Sequence, residues 1–243
     1  MAQNIYDDDA FFLEYSRLPR SIDGLAGAPE WPALRAMLPD LHERTVVDLG
    51  CGFGWFCRWA RENGAAHVTG IDVSEKMLER AKAETHDAAV TYEKMDLELL
   101  ELPKWEFDLA YSSLAFHYIE DFHRLMSQVH RSLVPGGRLV FSVEHPIFTA
   151  PSDPRFVADA AGRATWPIDR YLDEGSRTTN WLAPGVIKQH RIVATYVNAL
   201  AESGFGILRI EEWGPSAEQI TAHPEWRDER QRPAFLLVSA KKN

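Results

Sequence analysis

Val46-Val47-Asp48-Leu49-Gly50-Cys51-Gly52-Phe53-Gly54 joins a buried-strand pattern to a loop in which three glycines fall within five positions. The β-branched pair leading into Leu49 reads as a strand interior, and the glycines leave a turn with no Cβ to obstruct a ligand. A helix starting near Trp55 then offers its free N–H groups to whatever lies over the loop. The spacing discriminates between cofactors, because a dinucleotide fingerprint requires G-x-G-x-x-G. Here the third glycine comes one residue early, and Trp55 stands where that fingerprint needs glycine.

Outward from this loop, strand and helix signals alternate from Thr45 to about Val143, as a doubly wound parallel sheet requires. A second strand, His67 to Ile71, ends at Asp72, and a third, Val90 to Glu93, leads to Met95-Asp96-Leu97. Glu106 to Tyr111 reads as the fourth strand, followed by Ser112 to Tyr118. The next helix has the clearest signals. Asp121 caps it, Phe122, Leu125, Met126, Val129 and Leu133 form an apolar stripe, and Pro135-Gly136-Gly137 closes it before a fifth strand running to Phe141.

The run D-L-G-C-G-F-G after a strand resembles motif I of the class I S-adenosylmethionine-dependent methyltransferases. The ordered motifs over residues 44–145 are similar to the small-molecule (methyltransferase type 11-like) branch of that family. The resemblance implies an α/β Rossmann-like fold: a doubly wound, seven-stranded, mostly parallel sheet in the order 3-2-1-4-5-7-6, its last strand antiparallel. It implies S-adenosylmethionine as cofactor and no metal. Asp72 matches the acid that holds both ribose hydroxyls, a task suited to a carboxylate with two acceptor oxygens. Asp96 and Leu97 match the adenine site, although Asp96 also suits the cap of a short helix. The implied cofactor set is completed by Asp48, Gly50, Cys51, Gly52, Gly54, Val73, Met77 and Ser112.

At 243 residues and 45% hydrophobic content the chain suits one α/β domain with a sizeable core. Residues 1–44 read as a helical cap, 45–145 as the cofactor core, 146–189 as a lid, and 190–243 as a last helix with two strands. The lid assignment rests on Phe156, Trp166, Tyr171 and Trp181, too many large aromatics for a disordered tract. A net charge of -10 opposes the phosphate backbone and disfavours nucleic acid as partner. The two cysteines have neither metal-site nor disulfide-framework spacing, and no stretch approaches membrane-spanning length. A cytoplasmic protein without a membrane partner is expected. The sequence leaves its oligomeric state open.

Methyl transfer from a sulfonium is an in-line displacement, in which the protein aligns the reactants and excludes water. Where the acceptor holds a proton, a histidine of suitable pKa can remove it. His117 and His145, each after a strand end, are the catalytic candidates, and His190 beside Arg191 is a weaker third. Substrate contacts are expected from Tyr15, Arg20, Tyr118, Trp166, Tyr171 and Trp181. Tyr111-Ser112-Ser113-Leu114 lacks the Asn/Asp-Pro-Pro-aromatic tetrad of nucleic-acid amino methylation, which leaves a small-molecule acceptor, aromatic or anionic. Arg155, Arg163, Arg170 and Arg177 hint at an anionic group. Two alternatives remain at this level: an aminopropyl transferase using the decarboxylated cofactor, and a non-catalytic cofactor-binding module.

Overall fold

A computed structural model describes residues 3–243. The N-terminal segment carries α1 (Asp9–Tyr15), α2 (Pro19–Ile22) and α3 (Trp31–Arg35). Strands β1 (Thr45–Leu49), β2 (His67–Asp72), β3 (Val90–Lys94), β4 (Phe107–Ser113) and β5 (Leu133–Glu144) follow, with α4 (Trp55–Glu62), α5 (Glu75–Ala83) and α6 (Phe122–Ser132) between them. An insertion holds α7 (Pro146–Thr149), β6 (Val157–Ala158), β7 (Ala164–Thr165), β8 (Gly175–Trp181) and β9 (Ala183–His190). The chain then forms α8 (Val193–Glu202), β10 (Phe205–Trp213), α9 (Ala217–Ala222) and β11 (Phe235–Lys242).

The main sheet has the order β10-β11-β5-β4-β1-β2-β3. Strands β1 to β5 are parallel, and β11 is antiparallel to both of its neighbours. With β10 and β11 as the sixth and seventh sheet strands, this is the expected Rossmann-like arrangement. Side chains alternate across β1: Val47 and Leu49 pack with Leu125, Val129 and Leu200 of α6 and α8, whereas Val46 packs with Phe56 and Ala60 of α4 and Trp31 of α3. Both faces are therefore covered, as a parallel sheet requires.

The helix α6 buries Phe122, Leu125, Met126 and Val129, and Asp121 caps it by accepting from the Arg124 N–H at 2.9 Å. Each such apolar side chain contributes about 1.5–3 kcal/mol by leaving water. The helix stops at Ser132, earlier than its sequence predicts, because Leu133 already pairs with Phe107 of β4. A register shift between Phe107 and Leu109 absorbs the Pro135-Gly136-Gly137 turn within β5.

The hairpin β8–β9 was not legible as strands. Its buried positions include Arg177 and Lys188 rather than an apolar alternation, so the period of two is written in charged residues.

Candidate active site

The carboxyl edge of the parallel sheet opens into a cavity of about 1170 Å³. Strand ends reach it from four sides through Gly50 after β1, Asp72 of β2, Ser113 of β4 and Glu144 of β5. Ligands of open α/β sheets bind at this edge. The glycine loop is folded back on β2, with the Gly50 and Cys51 N–H groups both donating to the Ile71 carbonyl, at 2.8 and 3.0 Å. Gly50 and Gly52 have left-handed φ values of 82° and 51°. They need glycine for different reasons. A Cβ on Gly50 would meet the Ala115 Cβ at 2.4 Å, whereas one on Gly52 has nothing within 4 Å and would project into open space beside the cavity.

Asp72 anchors the loop as well as the wall. Its Oδ2 accepts from the Gly52 N–H and its Oδ1 from the Ser74 N–H, both at 2.9 Å. Burial raises its pKa, opposed by those N–H donors. Val73, Met77, Asp96 and Leu97 line the same end of the cavity. Asp96 also accepts from the Glu98 N–H at 2.9 Å, capping the 3-10 turn Leu97–Leu99, so both roles foreseen for it are compatible. An open cradle at Gly52 beside a carboxylate with further lone pairs fits an adenosyl cofactor with two ribose hydroxyls.

Asp48, Cys51, Gly54 and Ser112 support this wall from behind and do not line the cavity. Asp48 is buried, accepts from the Cys57 thiol at 3.4 Å, and has its pKa pushed up to about 7 by desolvation. Burial likewise pushes the Cys51 thiol well above its ordinary value. Gly54 packs against the Tyr92 hydroxyl, and Ser112 donates to the Leu49 carbonyl at 2.7 Å, tying β4 to β1.

The other end of the cavity is aromatic. Tyr6, Tyr15, Tyr118, His117 and Trp181 line it, together with Arg20 and Glu144. Tyr6 and Tyr118 share a hydroxyl contact of 3.2 Å, and the Tyr6 ring meets Tyr15 edge-on at 5.2 Å. The N-terminal segment thus forms a roof, fastened twice. Asp7 accepts from the Ser74 hydroxyl at 2.6 Å and the Lys76 N–H at 3.2 Å, at the start of α5. Gln3 donates to the Gly185 carbonyl at 3.0 Å and accepts from the Ile187 N–H at 2.9 Å, reaching the β8–β9 hairpin.

Electrostatics at this end are largely settled within the protein. Arg20 pairs with the buried Glu30 at 3.1 Å, and Lys188 with Glu144 at 2.6 Å. Desolvation lowers the His117 pKa to about 4, so the ring is neutral near pH 7. Its Nδ1 accepts from the Glu144 N–H at 3.4 Å, which assigns the single ring hydrogen to Nε2. In that tautomer Nε2 carries the hydrogen and can donate a hydrogen bond, and the lowered pKa disfavours a second proton on the ring.

Several expected contacts fall elsewhere. His145 caps α7 through Nδ1, which accepts from the Ile147 N–H at 3.0 Å, and its Nε2 meets Glu212 at 2.8 Å. Both nitrogens are engaged, and the residue does not line the cavity. His190 is similarly occupied by Thr149 at 2.8 Å and the Tyr171 carbonyl at 2.9 Å. Arg191 donates to the Glu120 carbonyl at 2.8 Å and to that of Ile119. Trp166 stacks on Phe148 at 5.5 Å, and Tyr171 packs on His190, both away from the lining. Of the insertion's arginines, Arg155, Arg163 and Arg170 pair outside with Asp153, Asp159 and Asp173, and Arg177 turns to backbone carbonyls. Sequence reasoning missed Tyr6, Glu144 and Arg232 as lining residues; Tyr6 was detectable only through Asp7, whose acid beside α5 fixes it there.

A family model described as a methyltransferase domain matches residues 47–141. A Haemophilus influenzae protein of uncharacterised function is 36% identical over 247 residues, covering 98% of this chain and 97% of its own length. The malonyl-[acyl-carrier protein] O-methyltransferase of Enterobacter lignolyticus is 38% identical over 110 residues, covering 45% of this chain and 43% of that enzyme. The crystal structure of an S-adenosylmethionine dependent methyltransferase from Mesorhizobium loti superimposes with a TM-score of 0.88 at 61% identity, covering 90% of this chain and 100% of that one. With the glycine cradle, Asp72 and the sheet order already in place, the chain belongs to the class I S-adenosylmethionine-dependent methyltransferases.

Proposed function

We propose that this methyltransferase acts on an oxygen or nitrogen of a small aromatic or anionic metabolite. The observation that carries the reading is the single cavity of about 1170 Å³, which joins the Asp72 and Asp96 end to the tyrosine-lined end. A ligand pocket usually measures about 300–1,000 Å³, so this one has room for a cofactor and a second small molecule together. The methyltransferase-domain match and the Mesorhizobium loti methyltransferase support methyl transfer over the aminopropyl-transferase and non-catalytic readings.

When bound, S-adenosylmethionine supplies an electrophilic methyl group. Asp72 would hold its ribose, and Asp96 with the Leu97 N–H its adenine. Tyr6, Tyr15, Tyr118 and Trp181 exclude water from the reacting pair and give an aromatic acceptor faces to pack on. His117 orients the acceptor as a hydrogen-bond donor. The insertion, from the end of β5 to β9, serves as the lid on the acceptor side, with Phe148 and Trp181 as its contacts. An oxygen acceptor is also the one named for the malonyl-[acyl-carrier protein] O-methyltransferase of Enterobacter lignolyticus, which matches less than half of either chain.

The test is a screen of cell extract fractions with methyl-labelled cofactor. Label should enter the low-molecular-weight fraction. Label appearing only in protein or nucleic acid would sink the small-molecule assignment.

A further inference from the structure

Arg232 lines the cavity yet is only 5% exposed. Its guanidinium lies over the Trp166 ring at 4.1 Å, over Phe148 at 4.6 Å and over Phe156 at 5.2 Å. The indole beneath it is itself fixed, because Trp166 Nε1 donates to the Ile147 carbonyl at 2.9 Å. Aromatic rings against the guanidinium faces set its plane without consuming the in-plane N–H donors. Those donors are mostly unanswered. Nη2 meets Glu229 at 2.9 Å, while Nε and Nη1 have no hydrogen-bond partner among the described residues and are shut off from solvent, so an incoming anion competes with the cavity-lining Glu229 carboxylate for the guanidinium. A buried cation with unsatisfied donors is costly to maintain, and such a group normally has a partner.

The other cations near the cavity do not share this condition. Arg20 and Lys188 are answered by Glu30 and Glu144, and the insertion's Arg155, Arg163 and Arg170 are paired at the surface. Arg177 and Arg191 also have an unpartnered nitrogen each, but neither lines the cavity. We propose that Arg232 is the anchor for an anionic group, carboxylate or phosphate, on the methyl acceptor. The anion hint read from the arginines of the insertion thus moves to an arginine outside it, held in place by the insertion's own aromatics. The planar fork of a guanidinium matches either anion, and its charge persists where a lysine would lose its proton on burial.

This inference rests on the methyl-transfer reading of the cavity, and the experiment separates the two. The protein is saturated with S-adenosylhomocysteine and titrated with benzoate, phenyl phosphate and the neutral benzamide, followed by calorimetry and by tryptophan fluorescence, to which Trp166 beneath Arg232 contributes. At least one anion should bind in preference to benzamide, and the better of the two identifies carboxylate or phosphate as the source. Arg232→Gln should weaken that anion about 10- to 100-fold, as expected for a lost hydrogen bond between charged groups, with homocysteine-product affinity unchanged. Arg163→Gln, on the outer surface, should change neither. Glu229→Gln should tighten the anion by removing the negative charge that competes for the guanidinium, and it carries the test if Arg232→Gln fails to fold. No preference for an anion, an unaffected Arg232→Gln, or a Glu229→Gln that does not bind more tightly overturns the anchor. Failure of the parent protein to bind S-adenosylhomocysteine would instead remove the methyltransferase reading itself.

Discussion

His117 titrates at about 4 in the folded protein because desolvation disfavours its cation, against about 6.5 for an ordinary histidine. The unfolded chain therefore binds the extra proton first as pH falls, so the stability from neutral His117 is complete above about pH 6.5 and lost progressively towards pH 4. Asp48 runs the other way: its carboxyl holds a proton up to about pH 7 when folded and releases it near 3.8 when unfolded. Its contribution falls as pH rises through that window. In urea titrations, the stability of the parent relative to His117→Asn should drop by about 3 kcal/mol from neutral to acid pH. Relative to Asp48→Asn, it should drop instead from acid to neutral pH. A pH-independent difference in either series would contradict these assignments. For Asp72→Ala, loss of charged hydrogen bonds should weaken S-adenosylhomocysteine by about 10-fold or more, and an unchanged Kd in calorimetry would leave Asp72 a mere strand-end acid. Gly50, Gly52, Asp72, Val73, Met77, Asp96 and Leu97 were legible because strand ends fix where motif residues point. Trp166, Tyr171 and His145 were not, since which way an aromatic turns in a long insertion depends on contacts far along the chain. Arg232 stood beside Arg227 and Arg230 with no spacing to single it out.

Among the elements, the N-terminal segment and the β8–β9 hairpin behave as one roof because Gln3 bonds to both sides of the hairpin's Val186. Asp7 ties that roof to the start of α5. Against desolvation acting in the opposite direction, hydrogen bonds from Ser74 and Lys76 hold its carboxyl below the ordinary range. Removing them with Asp7→Ala should cost about 0.5–2 kcal/mol, the scale of a lost helix cap. Hydrogen exchange should then quicken across residues 3–16 and 183–190 while β1 and β4 stay protected. Exchange confined to α5 would show that the roof does not depend on this contact. With the parent protein, the hairpin should gain further protection when an acceptor joins the cofactor product, and full protection by the product alone would contradict its role as lid. The sequence announced α6 and the glycine loop through caps and stripes, but it hid this hairpin, whose inward positions Arg177 and Lys188 find their partners in backbone carbonyls and Glu144.

For the molecule as a whole, the parallel strands were readable as apolar runs buried on both faces, whereas their order came from the resemblance of the ordered motifs to the family. The volume of the cavity was not, since it depends on how the roof and the segment before β11 approach each other. Ligand binding at that junction should stabilise the entire fold. At 100 times its Kd, S-adenosylhomocysteine should add about 2.7 kcal/mol and raise Tm by roughly 5–10 °C, and an unmoved Tm in scanning calorimetry would deny a site of this size. Strand β11 is made after β10 yet lies between β10 and β5. While the ribosome is still extending the chain, β5 has a bare hydrogen-bonding edge, and β10 has emerged with no neighbour to join. The wall that carries Arg232 arrives at the same late moment. A nascent chain stalled before Phe235 therefore exposes a strand edge that another chain can join, and early termination is expected to yield aggregates rather than a smaller working enzyme.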